Sequence, residues 1–240
     1  MPEKPRLCNE QDLPLKDMHI VVDAGNGAGG FFASRVLQPL GANIDGSLYL
    51  DPDGSFPNHI PNPENAKAME AIRKATVENH ADLGIIFDTD VDRAATVLSN
   101  GKEINKNALI ALMSAILVKD YPNSTIVTDS VTSDQLEDFL VNRLGLQHHR
   151  FKRGYRNVIN ESIRLNNEGI VSPLAIETSG HGALKENYFL DDGAYMSVKI
   201  LIEAVRCKKE GKSIGDLLDG LEEALETKEC RLRILVDDFK

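Results

Sequence analysis

The sequence predicts two consecutive α/β domains, with mainly parallel or mixed sheets and helices on both faces. Three observations carry this. Short apolar runs alternate with stretches of helical 3.6-residue spacing along most of the chain. The pattern restarts after Gly101-Lys102, a turn and a hinge. Ala81–Phe87 is a near-continuous apolar run, the mark of a strand buried on both faces. A length of 240 residues accommodates two ordinary domains.

The elements follow in order. Residues 1–12 are polar and proline-containing and read as a tail. In the first domain, 13–103, His19–Val22 is a short strand ending at Asp23, followed by Gly25-Asn26-Gly27-Ala28-Gly29-Gly30. Phe31–Leu40 has helical spacing and stops at Pro39 and Gly41. Ala42–Leu50 reads as a second strand, and Asp51–Pro61 as a turn-rich loop. Pro63-Glu64 opens a helix to Asn79 with Ala66, Met69, Ile72 and Val77 inward. After the Ala81–Phe87 strand and an acidic loop, Ala94–Leu98 pairs back. The second domain, 104–225, begins with a helix over Asn107–Lys119. A strand over Ser124–Val131 leads to a helix over Ser133–Leu144, capped by Ser133. His148–Lys152 is a strand, Tyr155–Asn167 a helix and Ile170–Glu177 a strand. Asn187–Leu190 reads as a further strand, and Gly193–Lys209 and Ser213–Leu225 as helices. Arg231–Val236, within 226–240, looks like a strand whose partners are not in this chain.

Composition narrows the function classes. The chain is 42% hydrophobic and 27% charged, ordinary for a globular protein. A net charge of -10, with no Trp and 5% aromatics, disfavours nucleic acid as a partner. No apolar run is long enough for a membrane span, and the N-terminus has no signal-peptide apolar region. Three scattered cysteines, Cys8, Cys207 and Cys230, point to a reducing, intracellular setting, cytoplasm or organellar stroma.

Gly84–Arg93 carries the strongest chemical signal: an apolar strand runs into Asp88, Asp90 and Asp92 and then Arg93. Like charges held this close repel, and a cation is the usual remedy. Oxygen-only ligands favour Mg²⁺ or Ca²⁺, and Arg93 adds a planar donor suited to phosphate. A solvated acidic turn gives no reason for the buried strand before it or the arginine after it. An EF-hand loop starting at Asp88 would need Gly where Arg93 stands and Glu where Ser99 stands. A haloacid-dehalogenase-type phosphatase would use Asp88 as nucleophile, with Asp90 beside it and Asp191-Asp192 as a later acidic pair. That family has Thr or Val where Asp92 stands, yet this reading stays open.

Three other motifs are weaker. Gly25-x-Gly27-x-x-Gly30 matches the dinucleotide fingerprint, with Asp45 and Asp51 near the ribose-carboxylate distance. Against it, Asp23 puts a negative charge where a pyrophosphate would lie, and a tight turn needs the same glycines. Glu177-Thr178-Ser179-Gly180-His181 places a carboxylate, a hydroxyl and an imidazole at a strand end, suited to sugar hydroxyls and proton transfer. No Gly-x-Ser-x-Gly elbow is present to make Ser179 a nucleophile. Arg153-Gly154-Tyr155-Arg156 opens a helix with two cations, a setting for phosphate or for a solvated basic turn.

Taken in order, these pieces resemble the α-D-phosphohexomutase superfamily, which includes phosphomannomutase, phosphoglucomutase and phosphoglucosamine mutase. Asp88–Arg93 matches its Asp-x-Asp-x-Asp-Arg metal loop, and Glu177–His181 its Gly-Glu-x-Ser-Gly-His sugar loop, with Ile176 in place of the glycine. Val21–Gly29 and Asn58–Asn65 resemble its second domain, and Arg153–Ile159 a third-domain loop that usually has Lys where Arg156 stands. The resemblance implies that Asp88, Asp90 and Asp92 bind Mg²⁺ and that Arg93 supports the phosphoryl group. It implies that Glu177, Ser179, His181 and Arg156 bind a hexose phosphate or hexose bisphosphate. The family has four domains, and the resemblance covers the second and third, with 226–240 like the start of the fourth. No stretch matches its phosphoserine loop, of Thr-Ala-Ser-His-Asn-Pro type, or its fourth-domain phosphate loop. The expectation is a chain that lacks domains of a longer protein and has little or no isomerase activity alone. The phosphatase, and a non-catalytic remnant that binds phosphosugar, are the alternatives.

Overall fold

A computed structural model describes residues 13–224. Its strands form two mixed sheets of four strands each. In the first, β1 (Ile20–Asp23) runs parallel to β2 (Leu83–Phe87), and β3 (Ala94–Leu98) and β4 (Glu103–Ile104) add on antiparallel, in the order β1-β2-β3-β4. In the second, β5 (Thr125–Thr128) lies parallel to both β6 (Gln147–Arg150) and β7 (Leu174–Ile176), and β8 (Gly182–Leu184) pairs antiparallel with β7. The first sheet is parallel only at its β1–β2 edge, the second is parallel across β6-β5-β7, and Ile104 completes the first sheet opposite Thr96.

The helices are α1 (Ala66–Glu78), α2 (Lys106–Leu117), α3 (Asp134–Asp138), α4 (Tyr155–Asn167) and α5 (Gly193–Lys209). Asn65 caps α1 by accepting the N–H groups of Lys67 and Ala68, so Pro63 stays outside the helix. Ala68, Met69 and Ile72 face inward there, whereas Ala66 and Val77 are exposed, against the expected face. One apolar cluster joins the domains, from Phe32 and Phe87 through Leu109–Met113 of α2 to Ile176 and Ile200. Phe32 meets Phe87 edge to face at 5.1 Å, which anchors the end of β2 one residue before Asp88.

Several expected elements differ. Phe31–Leu40 forms a π-helical turn over Phe32–Leu37 and a 3₁₀ turn over Gln38–Leu40, because Pro39 has no N–H to continue an α-helix. Ala42–Leu50 is no continuous strand. Asn43 and Leu48 form isolated bridges to His19 and Asp23. Between them Asn43 Oδ1 accepts the Asp45 N–H, and Gly46 has φ +83°, which breaks the extension. The helix over Ser133–Leu144 shortens to α3 and a π turn over Phe139–Arg143. Asn187–Leu190 is a turn with Tyr188 and Phe189 at φ +55° and +57°, and the strand lies earlier, at β8. Ser213–Leu225 reduces to a 3₁₀ turn over Ile214–Leu218 with a Ser213/Asp216 capping box. The tail and the Arg231–Val236 strand lie outside the described residues.

Candidate functional site

The acidic loop leaves the carboxyl end of β2, where ligands collect in α/β sheets. Asp88 is buried, 1% exposed. Its Oδ1 accepts the N–H groups of Val91 at 3.0 Å and Arg93 at 3.2 Å, and its Oδ2 accepts Arg93 Nε at 2.8 Å. Asp90 is exposed and Asp92 half-buried. One carboxylate oxygen from each of Asp88, Asp90 and Asp92 lies within 4.8 Å of the others. Asp92 Oδ1 is buried and has no hydrogen-bond partner. Burial first, then the charge of Asp88, push the Asp92 carboxyl up to about 7. An orphaned carboxylate oxygen among three converging acids is the chemistry of a hard-cation site, and these residues fit one.

The glycine stretch props this loop. Ala28 donates its N–H to the Thr89 carbonyl at 2.9 Å, and a Cβ on Gly27 would lie 2.7 Å from that oxygen. Asp23 pairs with His59 at 2.9 Å, both side chains fully buried, and accepts the Gly25 N–H at 2.8 Å. Burial holds the Asp23 carboxyl above its ordinary value, against the pull of His59. The carboxylate is therefore already partnered, and the glycines provide backbone contact with the acidic loop.

The second loop leaves β7. Glu177, 4% exposed, accepts the Gly154 N–H at 2.6 Å on Oε1 and the Ser179 hydroxyl at 3.3 Å on Oε2. Burial, helped by the charge of Asp129, raises its carboxyl. Asp129 itself, fully buried at the end of β5, accepts the Thr178 N–H at 3.1 Å and hydroxyl at 2.7 Å. His181 Nδ1 bonds Asp191 Oδ2 at 2.8 Å and lies 3.7 Å from Asp92 Oδ1. Burial alone lowers the imidazole, but the hydrogen bond and charge of Asp191, with Asp92, outweigh it and raise the ring above its ordinary value. Tyr155 stacks on His181 at 5.0 Å and 20°, and the exposed Arg156 guanidinium lies 5.8 Å from the Tyr155 ring.

The two loops meet. Arg93 and His181 pair as an isolated antiparallel bridge, so the arginine of the acidic loop and the histidine of the second loop are backbone neighbours. Sequence reasoning missed Asp129, which acts through Thr178, 49 positions away, and named Asp191 only in the acidic pair of the phosphatase reading, not as the partner of His181. The Asp191-Asp192-Gly193 run before α5 was the available signal for Asp191.

Two consecutive family models match the chain. The family model described as phosphoglucomutase/phosphomannomutase, alpha/beta/alpha domain II, matches residues 6–101, and that for domain III matches residues 105–224. A phosphomannomutase/phosphoglucomutase of Pseudomonas syringae pv. tomato is 30% identical over 220 residues, 91% of this chain and 45% of the relative. One from Pseudomonas aeruginosa is 36% identical over 190 residues, 78% of this chain and 39% of the relative. A crystal structure of a phosphoglucomutase/phosphomannomutase family protein from Burkholderia thailandensis matches with TM-score 0.75 and 31% identity, over 88% of this chain and 44% of that one. An Aspergillus fumigatus N-acetylphosphoglucosamine mutase, solved with GlcNAc-6P and magnesium, shares the fold at TM-score 0.61 and 13% identity, over 89% of this chain and 52% of that one. The chain spans less than half the length of these two curated relatives.

Proposed function

This chain belongs to the phosphoglucomutase/phosphomannomutase family, and from that premise we propose that it supplies the cation-binding and sugar-binding units of a phosphohexomutase. The units are divided as 13–103 and 104–225. The observation that carries the reading is the Arg93–His181 bridge, which brings the two loops to one place. Asp88, Asp90 and Asp92 would hold Mg²⁺, as the orphaned Asp92 oxygen favours. When bound, the ion offsets negative charge on a transferring phosphoryl group. Arg93 has five N–H donors, and the one on Asp88 leaves others for phosphoryl oxygens. Glu177 and Ser179 receive sugar hydroxyls, with Arg156 at the exposed rim as a phosphate contact. Asp191 accepts from His181 Nδ1, so the neutral ring carries its proton there and presents Nε2 as the acceptor for a hydroxyl proton.

The ligand is a hexose phosphate or hexose bisphosphate. The phosphatase alternative is not favoured: the relatives above are mutases. A complete cycle needs a phosphoryl donor, and the family's serine loop does not occur among these 240 residues. The purified 240-residue chain is therefore expected to bind hexose bisphosphate in the presence of Mg²⁺ and to show little turnover in a coupled assay with hexose 1-phosphate and bisphosphate activator. Binding abolished by Glu177→Gln and His181→Ala supports the reading. Absence of binding, or release of inorganic phosphate that Asp88→Asn stops, contradicts it.

A further inference from the structure

The acidic loop does not hold its shape alone. Val91 lies between the loop's carboxylates with φ +73°, a left-handed backbone that a β-branched residue rarely adopts. Its N–H bonds Asp88 Oδ1 at 3.0 Å and so sets which way that carboxylate faces. Its carbonyl accepts an N–H from the other domain, that of Gly193 at 3.0 Å. Gly193 is the first residue of α5, and Asp192 caps that helix by accepting the Tyr195 N–H. A Cβ on Gly193 would lie 2.7 Å from the Arg93 carbonyl carbon, 2.9 Å from its oxygen and 3.0 Å from the Ala94 nitrogen. Gly193 does not have positive φ, so space, not backbone freedom, is what the position requires. The same approach recurs beside it, where a Cβ on Gly180 would lie 3.1 Å from the Ala94 carbonyl oxygen.

We propose that Gly193 is a positioning residue for the cation site. By letting α5 abut the loop backbone, it holds Val91 in its strained conformation and Asp88, Asp90 and Asp92 in ligating order. This rests on the reading of the loop as a Mg²⁺ site. Backbone strain persists where surrounding structure over-determines it, and here the determining contact comes from the second domain. A cation bound in the first domain and the start of α5 in the second are then linked, and each must stabilise the other.

The test is a Mn²⁺ titration of the full chain, followed by electron paramagnetic resonance, with thermal melts as the folding control. Gly193→Ala is expected to raise the Mn²⁺ Kd at least tenfold while unfolding stays cooperative. Adding Val91→Gly, which removes the cost of the left-handed backbone, is expected to recover at least threefold of that loss. A wild-type Kd in Gly193→Ala, or no recovery in the double variant, overturns the proposal. Hydrogen exchange on the unsubstituted chain tests it independently of variant folding: saturating Mg²⁺ slows exchange of the Gly193 amide, and an unchanged rate overturns the proposal. An unsubstituted chain that binds no Mn²⁺ refutes the cation reading itself, before any variant is compared.

Discussion

Asp92 is where the site's electrostatics concentrate. Its Oδ1 is buried without a partner, beside Asp88 and 3.7 Å from His181. Burial and Asp88 hold the carboxyl near 7, so a proton competes with a cation below that pH. A cation would bind the ionised form, so Mg²⁺ affinity is expected to fall as pH drops below about 7 and to be flat above it. Calorimetric titrations from pH 6 to 8 are expected to show up to about tenfold weaker binding per unit on the acid side. Asp92→Asn is expected to weaken binding and remove the pH dependence; an unchanged profile would remove Asp92 from the ligand set. The convergence of three alternating aspartates beside an arginine was legible in the sequence, because carboxylates at this spacing follow directly from a buried strand. The pairing of Asp191 with His181 was not, since it depends on the chain returning antiparallel against β8 at Ala183.

At the scale of elements, the site depends on how β2 ends. Phe87 is fully buried against Phe32 and precedes Asp88 directly. Phe87→Ala is expected to cost about 3–5 kcal/mol in urea unfolding, with Mg²⁺ affinity falling as the strand end loosens. In the second sheet, His148 bonds Thr128 through Nε2 at 2.8 Å, with a side chain only 1% exposed. Burial, then the charges of Arg150 and His149, push it down to about 4. It folds neutral, and the unfolded chain protonates near 6.5, so the unfolded state binds the extra proton between those values. This group's contribution to stability is complete above about 6.5 and falls as pH drops toward about 4. His148→Asn is expected to flatten the dependence of the urea midpoint over that window, and the same slope in the variant would contradict the assignment. Helices with strong spacing and clear ends, such as α4 and α5, were legible from sequence. Ala42–Leu50 and Asn187–Leu190 were not, because apolar composition there conceals turns made by Gly46 and by left-handed Tyr188 and Phe189.

Across the whole molecule, one apolar cluster joins the two sheets and one backbone bridge joins their loops. The sequence indicated two α/β domains. It did not indicate that the loops touch, because the Arg93–His181 pairing spans 88 positions by their residue numbers and depends on the packing of α2 and α5. That a cation loop and a sugar loop meet in a single site is the proposal on which the rest depends. Mn²⁺-induced nuclear relaxation of the His181 ring tests it most directly. Mn²⁺ added to the labelled chain is expected to broaden the His181 ring signals strongly, and Asp90→Asn with Asp92→Asn to abolish the effect. Mn²⁺ that binds with the His181 signals untouched, or broadening that survives loss of both carboxylates, would contradict it.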